Sequence, residues 1–479
     1  MRRDWRSRAR AWRWRADQRI RRGHHRRITE RIHRETDAEE NARVALPPGE
    51  RIAWPCFWVA ELYAPSHAKA LANGLTELER GTSSLFAHRE EPSDWLHRAR
   101  SWSGGFWRVG HFVNDKEARF RRQKVGLPDH FKSMHAELRQ IAPGITVLLM
   151  QFVLTDAASA SLNGVMKQTF STKVTTIRGH LGGQNIRGPE HRKQDEIALI
   201  RGAYRGDAQS WISSKVPGLF SSLPETKAPS WDLLLTKRHQ LYDNQTDYDE
   251  RWRECLGFGH ALDQWQAASL PGLRFFRPGS DQAGAKPSLV GLESEALAML
   301  EGEHMGSDIS GLLQLVDRRV SDQLVIWTLL AALDAHEDQF TSIRDGLAAP
   351  PGWWQSGTRL RQLRREVMPL AFDLETLGNA AQNDKALAPW VRQSPAEFAL
   401  VMPEGKQPGP DAADSLLHFI QERIKQRGDQ IVAQGREISD ALRTQGELLL
   451  ATSNIRLQWL VLALTLVVGA AGIYATLSA

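Results

Sequence analysis

At 479 residues, with 41% hydrophobic and 25% charged side chains, the chain can build two or three folded domains with sizeable cores. Its net charge of +6 is unevenly spread: residues 1–34 hold 14 Arg and no Lys against Asp4, Asp17 and Glu30, a local +11, which leaves −5 for residues 35–479 and excludes a basic nucleic-acid-binding body. The two cysteines, Cys56 and Cys255, exclude a disulfide framework and a metal knuckle, and suit a reducing compartment.

The first segment, residues 1–48, is expected to be a disordered Arg/Trp-rich tail closed by Leu46-Pro47-Pro48-Gly49. Trp5, Trp12 and Trp14 are interleaved with Arg2, Arg3, Arg13 and Arg15. This pattern suits an anionic lipid surface, with Arg on phosphates and Trp rings at the interface. Phosphate neutralisation on nucleic acid, a plain solvated tail and an upstream start-site artefact are the competing readings. No apolar core follows the arginines, so the segment is not a secretory signal.

Residues 50–300 read as a mixed α/β domain. Phe57–Tyr63 and Phe106–Val113 are expected strands, and Ile145–Leu154 is expected to be a strand covered on both faces. Pro65-Ser66 opens an expected helix, with Ser66 as its cap and Leu71, Leu75 and Leu78 on one face. Gly126–Ile141 is expected to be helical, since Phe131, Met134 and Leu138 fall at helical spacing. Helix is also expected from the end of Ile145–Leu154 to about Phe170, and over Glu190–Phe220. Trp231–Leu235, Leu273–Arg277 and Ser288–Leu292 are short expected strands, and the sequence leaves open whether they join the first sheet.

From residue 305 to 402 the chain turns helical. Ile309–Leu333 has an apolar core of ten residues, Leu324–Leu333, too short to cross a bilayer and so expected inside the protein. Leu360, Leu363, Val367, Leu370, Leu374 and Leu377 form a bundle stripe that Pro369 should interrupt. After a link at Pro403–Pro410, residues 411–456 form an expected stalk helix, with Leu417, Ile424, Ile431 and Ile438 seven apart and Gly428, Gly435 and Gly446 weakening it.

Leu457–Ala479 carries no charge. As a helix, residues 457–477 rise about 31 Å, the thickness of a bilayer core. Trp459 and Tyr474 would sit at the two headgroup levels, and Gly469 and Gly472 within the span. Arg436, Arg443 and Arg456 precede the segment and no Lys or Arg follows, so the expected protein is single-pass and tail-anchored in a bacterial plasma membrane, with its N-terminal domain cytoplasmic. The expected partner is the bilayer; the stalk stripe fits packing against a helix of the same chain or, through stalk and span, against a second copy.

Signatures of chemistry are sparse. No phosphate loop, HExxH, GxSxG or paired CxxC is present. The run Gly179–Gly188 offers backbone amides to a phosphate, with Arg178, Gly182, Gly183 and Arg187 as its weak binding residues. Plain surface loop is the competing reading. Asp243, Gln245, Asp247, Asp249 and Glu254 echo a calcium loop, but Tyr248 replaces its glycine. Asp334, His336, Glu337 and Asp338 read as a solvated helix end, His130 and His135 do not share a helical face, and Lys116, Arg119, Arg121, Arg122 and Lys124 read as a solvated basic face. Pro350-Pro351-Gly352-Trp353-Trp354 is a packing or partner loop. No cofactor or metal is expected.

The layout of an α/β domain, long helices and a stalk entering the membrane resembles CorA-like magnesium transporters. The entry segment is similar in Asn454, Leu464-Thr465-Leu466 and Gly472-Ile473-Tyr474. That family continues with a Gly-Met-Asn motif and a second span, whereas Ala475-Thr476 follow Tyr474 here, so the resemblance implies a non-conducting or divergent relative. The functional expectation is an interaction, scaffold or sensor module on a membrane anchor; the alternative is an enzyme with its site near Gly179–Gly188.

Overall fold

The computed structural model describes residues 31, 35–80, 94, 96–98, 105–114, 123–176, 184–223, 227–241, 251–258, 261–278, 287–301, 306–348, 368–383, 387–393, 398–401 and 415–478. In chain order these contain β1 (Ile52–Tyr63), a 3-10 turn (Pro65–His67), α1 (Ala68–Arg80), β2 (Phe106–Asn114), β3 (Gln123–Val125), β4 (Phe131–Ala142) and β5 (Ile145–Leu154). There follow α2 (Asp156–Ser159), α3 (Ser161–Lys167), β6 (Lys173–Thr176), β7 (Gln184–Arg187), α4 (Pro189–Lys215), α5 (Leu219–Ser222), β8 (Ser230–Thr236), α6 (Trp252–Cys255), β9 (Ala261–Ala267), β10 (Leu273–Pro278) and β11 (Ser288–Leu292). The remainder is α7 (Glu293–Ala298), α8 (Ile309–Ala348), α9 (Met368–Gln382), α10 (Pro389–Gln393), β12 (Phe398–Leu400) and α11 (Leu416–Ser478).

This is a mixed α/β fold on a large, mostly antiparallel sheet. Ten strands run in the order β12-β9-β10-β11-β8-β1-β5-β4-β2-β3, parallel only at β11/β8 and β2/β3. The later strands therefore do join the first sheet.

Alternation along β1 explains why its burial is nearly continuous. Trp58, Gln151 and His135 are aligned across β1, β5 and β4. Their side chains meet α8: Trp58 Nε1 donates to Asp317 Oδ1 at 2.8 Å, Gln151 donates to the Leu313 carbonyl at 3.1 Å, and His135 Nδ1 lies 2.8 Å from Asp317 Oδ2. One residue along, Phe57 and Phe152 are paired and stacked, and meet α4 instead, Phe152 edge-on to Trp211. Helices cover both faces, so the strands read as unbroken apolar runs.

That double cover corrects the helix expected at Gly126–Ile141. Phe131, Met134 and Leu138 are buried, but so are Ser133, Glu137 and Gln140, in a twelve-residue strand paired on both sides. Helical spacing carries little information where nine of twelve positions are buried. Pairing likewise selects β9, β3, β7 and β12, which local pattern did not reveal. The helix expected to about Phe170 is two short ones, α2 capped by Thr155 and then α3. Leu71, Leu75 and Leu78 are buried on α1 as expected. Ser66 is not the cap: it lies inside the 3-10 turn, and its hydroxyl donates to Asp373 of α9.

Leu324–Leu333 is largely buried within α8. Pro369 sits in the first turn of α9, where a missing amide proton costs nothing, so it does not interrupt the described helix. Residues 360–367 and 403–410 lie outside the described residues. Along α11, Leu417, Ile424 and Ile431 are buried, with Gly428 against Ala381 of α9. Cys56 and Cys255 are free and buried.

Two ionic groups fasten the body. Asp232 of β8 is fully buried and takes Arg201 and Arg205 of α4, with Arg201 Nε at 2.8 Å. Arg201 Nη2 also reaches Ser288 Oγ of β11 at 3.2 Å, so α4 is tied to two neighbouring strands. On the loop before β1, Glu50 accepts from the amides of Arg51, Lys237, Arg238 and His239.

Candidate functional site

Polar side chains converge around the short helix α5. Glu61 of β1 is fully buried beneath it and accepts from Phe220 N at 2.7 Å, Ser221 N at 3.2 Å, Ser221 Oγ at 2.6 Å and Leu62 N at 3.2 Å. Gly218, just before α5, makes this approach possible: a Cβ there would stand 2.6 Å from Glu61 Cγ and 2.8 Å from the Leu62 carbonyl. Tyr63 OH donates to the Val216 carbonyl at 2.6 Å and fixes the same turn. Burial pushes the Glu61 carboxyl up to about 7, and the four hydrogen bonds oppose it.

From Ser221 a hydroxyl chain leads outward. Ser213 Oγ of α4 donates to Ser221 Oγ at 3.0 Å. Ser213 also lines an open cleft of about 600 Å³, together with Gly206, Gln209, Ser210 and Ser214 of the same helix. The described lining is polar and small.

On the other side of α5 lies exposed Ser222, whose Oγ is 3.3 Å from Nε2 of His67. The Nδ1 of His67 is 2.9 Å from Ser66 Oγ and 3.8 Å from Asp373 Oδ2. Ser66 Oγ in turn donates to Asp373 Oδ2 at 2.5 Å, while Ser66 N donates to Oδ1 at 3.1 Å. These bonds fix the imidazole tautomer. The Ser66 proton points at the carboxylate, so its oxygen presents lone pairs to His67, and His67 must donate from Nδ1. The lone pair of Nε2 is then left facing Ser222. Burial holds His67 below its usual 6.5, against the opposing pull of Asp373, whose side chain is 2% exposed. The ring is neutral at pH 7 and can accept a proton.

The residues singled out in the sequence lie elsewhere. Arg187 ends β7 and pairs with Asp195 of α4; Gly188 precedes α4; Arg178, Gly182 and Gly183 lie outside the described residues. Asp243, Gln245, Asp247 and Asp249 are also outside them, and Glu254 pairs with Arg251 at 2.8 Å. His130, in the turn before β4, lies 3.5 Å from Asp207 of α4, whereas His135 of β4 lies 2.8 Å from Asp317 of α8. Asp334 pairs with Arg427 of α11 at 2.9 Å, and His336 is buried. No cluster of three or more metal-ligating side chains occurs among the described residues. The tail residues Arg2, Arg3, Trp5, Trp12, Arg13, Trp14 and Arg15, the basic run at 116–122 and the loop at 350–354 are outside them. Trp459, Gly469, Gly472 and Tyr474 fall within the backbone of α11, with their side chains outside the description. Among the described residues no helix is long and apolar enough to cross a membrane.

Sequence reasoning did not assemble the α5 site because His67, Ser222 and Asp373 are each more than 140 positions apart. The one local signal was Pro65-Ser66-His67, which has the pattern of a helix start. No family model, curated protein or solved structure matches the chain, so the CorA-like resemblance rests on its entry segment and general layout alone.

Proposed function

We propose that this protein is a membrane-anchored interaction module, with its α/β body on the cytoplasmic face and α11 serving as both stalk and anchor. The observation that carries this is the charge-free run Leu457–Ala479, continuous with α11 up to Ser478. Side chains described within it support the reading: Val461, Leu462 and Leu464 are 63%, 52% and 69% exposed. Three large apolar residues so close together on a helix want a cover, and lipid supplies one. The Arg/Trp segment at residues 1–34 would add a second, salt-sensitive contact with anionic headgroups, strengthened by the high local concentration that anchoring imposes.

The same helix sets a distance. Among the described residues Ile431 is the last buried one on α11. From there to residue 457 a helix rises about 39 Å, which would hold the sheet clear of the headgroups and leave its surface open to soluble partners.

Fractionation tests the anchor. Full-length protein should stay in the membrane pellet through a high-salt wash, and the protein lacking Leu457–Ala479 should appear in the soluble fraction. Retention of the truncated form after the wash would overturn the proposal.

A further inference from the structure

We propose that Ser222 is a nucleophile for acyl transfer, activated by His67, and that the site hydrolyses carboxylic esters. The inference goes beyond the anchoring role and does not depend on it.

The geometry supplies two parts of such a site. The Ser222 hydroxyl is exposed and 3.3 Å from the unprotonated nitrogen of His67. It donates at present to the Leu219 carbonyl at 2.7 Å, and rotation about its C–O bond alone turns the proton onto Nε2. The far side of the ring is oriented by Ser66 and Asp373, a buried carboxylate that stabilises the imidazolium formed during reaction.

The step balances without a further reagent. Ser222 Oγ attacks the ester carbonyl as its proton passes to His67 Nε2. The carbon–oxygen bond to the alcohol breaks, and His67 returns the proton to the leaving alkoxide. Water then attacks the acyl-serine, giving its proton to His67, and the carboxylic acid leaves as that proton goes back to Ser222 Oγ. His67 and Ser222 are the catalytic residues; Ser66 and Asp373 are positioning residues.

The test uses detergent-extracted full-length protein, a fluorophosphonate probe and p-nitrophenyl esters. Peptide mass spectrometry should find the phosphonyl adduct on Ser222, with fluoride released. Ser222→Ala should abolish it, and His67→Ala should slow labelling at least tenfold while the circular-dichroism spectrum stays unchanged. The pH–rate profile should rise to a plateau with a midpoint below the usual histidine value, and Asp373→Asn should move that midpoint lower still. Absence of an adduct on Ser222, or equal labelling of the His67 variant, would overturn the nucleophile assignment. A protein that takes the adduct on Ser222 but cleaves no p-nitrophenyl ester would overturn the hydrolysis assignment. Membrane fractionation moves with neither result, so the two proposals fail separately.

Discussion

Gly428 of α11 lies so close to Ala381 of α9 that a Cβ on the glycine would stand 2.5 Å from the alanine's own Cβ. The contact is reciprocated further along the crossing, where a Cβ on Gly378 would stand 2.6 Å from Val432 Cγ2. In an isolated helix, replacing Gly with Ala is favourable by roughly 1 kcal/mol. Here packing should reverse the sign. Gly428→Ala is expected to lower stability by about 1–3 kcal/mol through overpacking, and Ala381→Gly should recover part of it. Thermal unfolding of the two single variants and the double variant checks this. A stabilised Gly428→Ala would show that α9 and α11 do not meet closely.

The Arg201–Asp232 pair should behave as a buried ion pair whose loss strands a charge. Asp232→Asn is expected to destabilise by about 3–5 kcal/mol, since Arg201 and Arg205 are left buried without a carboxylate. Adding Arg201→Met to that background should recover part of the loss by removing one of the two stranded cations. Urea midpoints of the three proteins decide it: additive losses would rule out an energetic link between α4 and β8 through this pair.

Glu61 predicts a pH dependence of defined sign. Its carboxyl is raised from 4.5 to about 7, so the folded chain retains a proton that the unfolded chain releases. Stability should therefore fall as pH rises from about 4.5 to about 7 and level off above that. The contribution is about 3 kcal/mol, since each pH unit separating the folded from the unfolded value corresponds to roughly 1.4 kcal/mol. Glu190 is also raised to about 7, by burial first and then by the neighbouring Glu254, so the wild-type slope alone does not identify its source. The difference between wild type and Glu61→Gln does. Denaturant unfolding across pH 5–8 should show a shallower slope in the variant, and identical slopes would clear Glu61 of the effect.

How much of this was legible in the sequence depended on how local the cause was. The strand at Ile145–Leu154 was visible because ten successive residues, nearly all apolar and bounded by Gly144 and Thr155, leave few alternatives. The long helix Pro189–Lys215 was visible as well, with Pro189 in its first turn where proline is favoured. The strand β4 was not: Phe131, Met134 and Leu138 mimic a helix face, and only pairing with β2 and β5 makes it a strand. Ser66 was visible as a hydroxyl beside a helix start, but its partner Asp373 comes from 307 positions away, and no spacing rule spans that gap. The α5 site is likewise a product of sheet topology. It exists because β1 delivers Glu61 and the turn after it to the place where α4 ends.

The strand order has a bearing on solubility. The outermost strands of the large sheet, β3 and β12, are three residues each, while the central pair β1 and β5 have twelve and ten. An edge so short offers an incoming chain only a few free backbone groups, and β12 is further backed by a bridge from Ala399 to Ser415 at the start of α11. The strands most able to template aggregation are thus kept at the centre, so neighbouring molecules can lie side by side without zipping their sheets together.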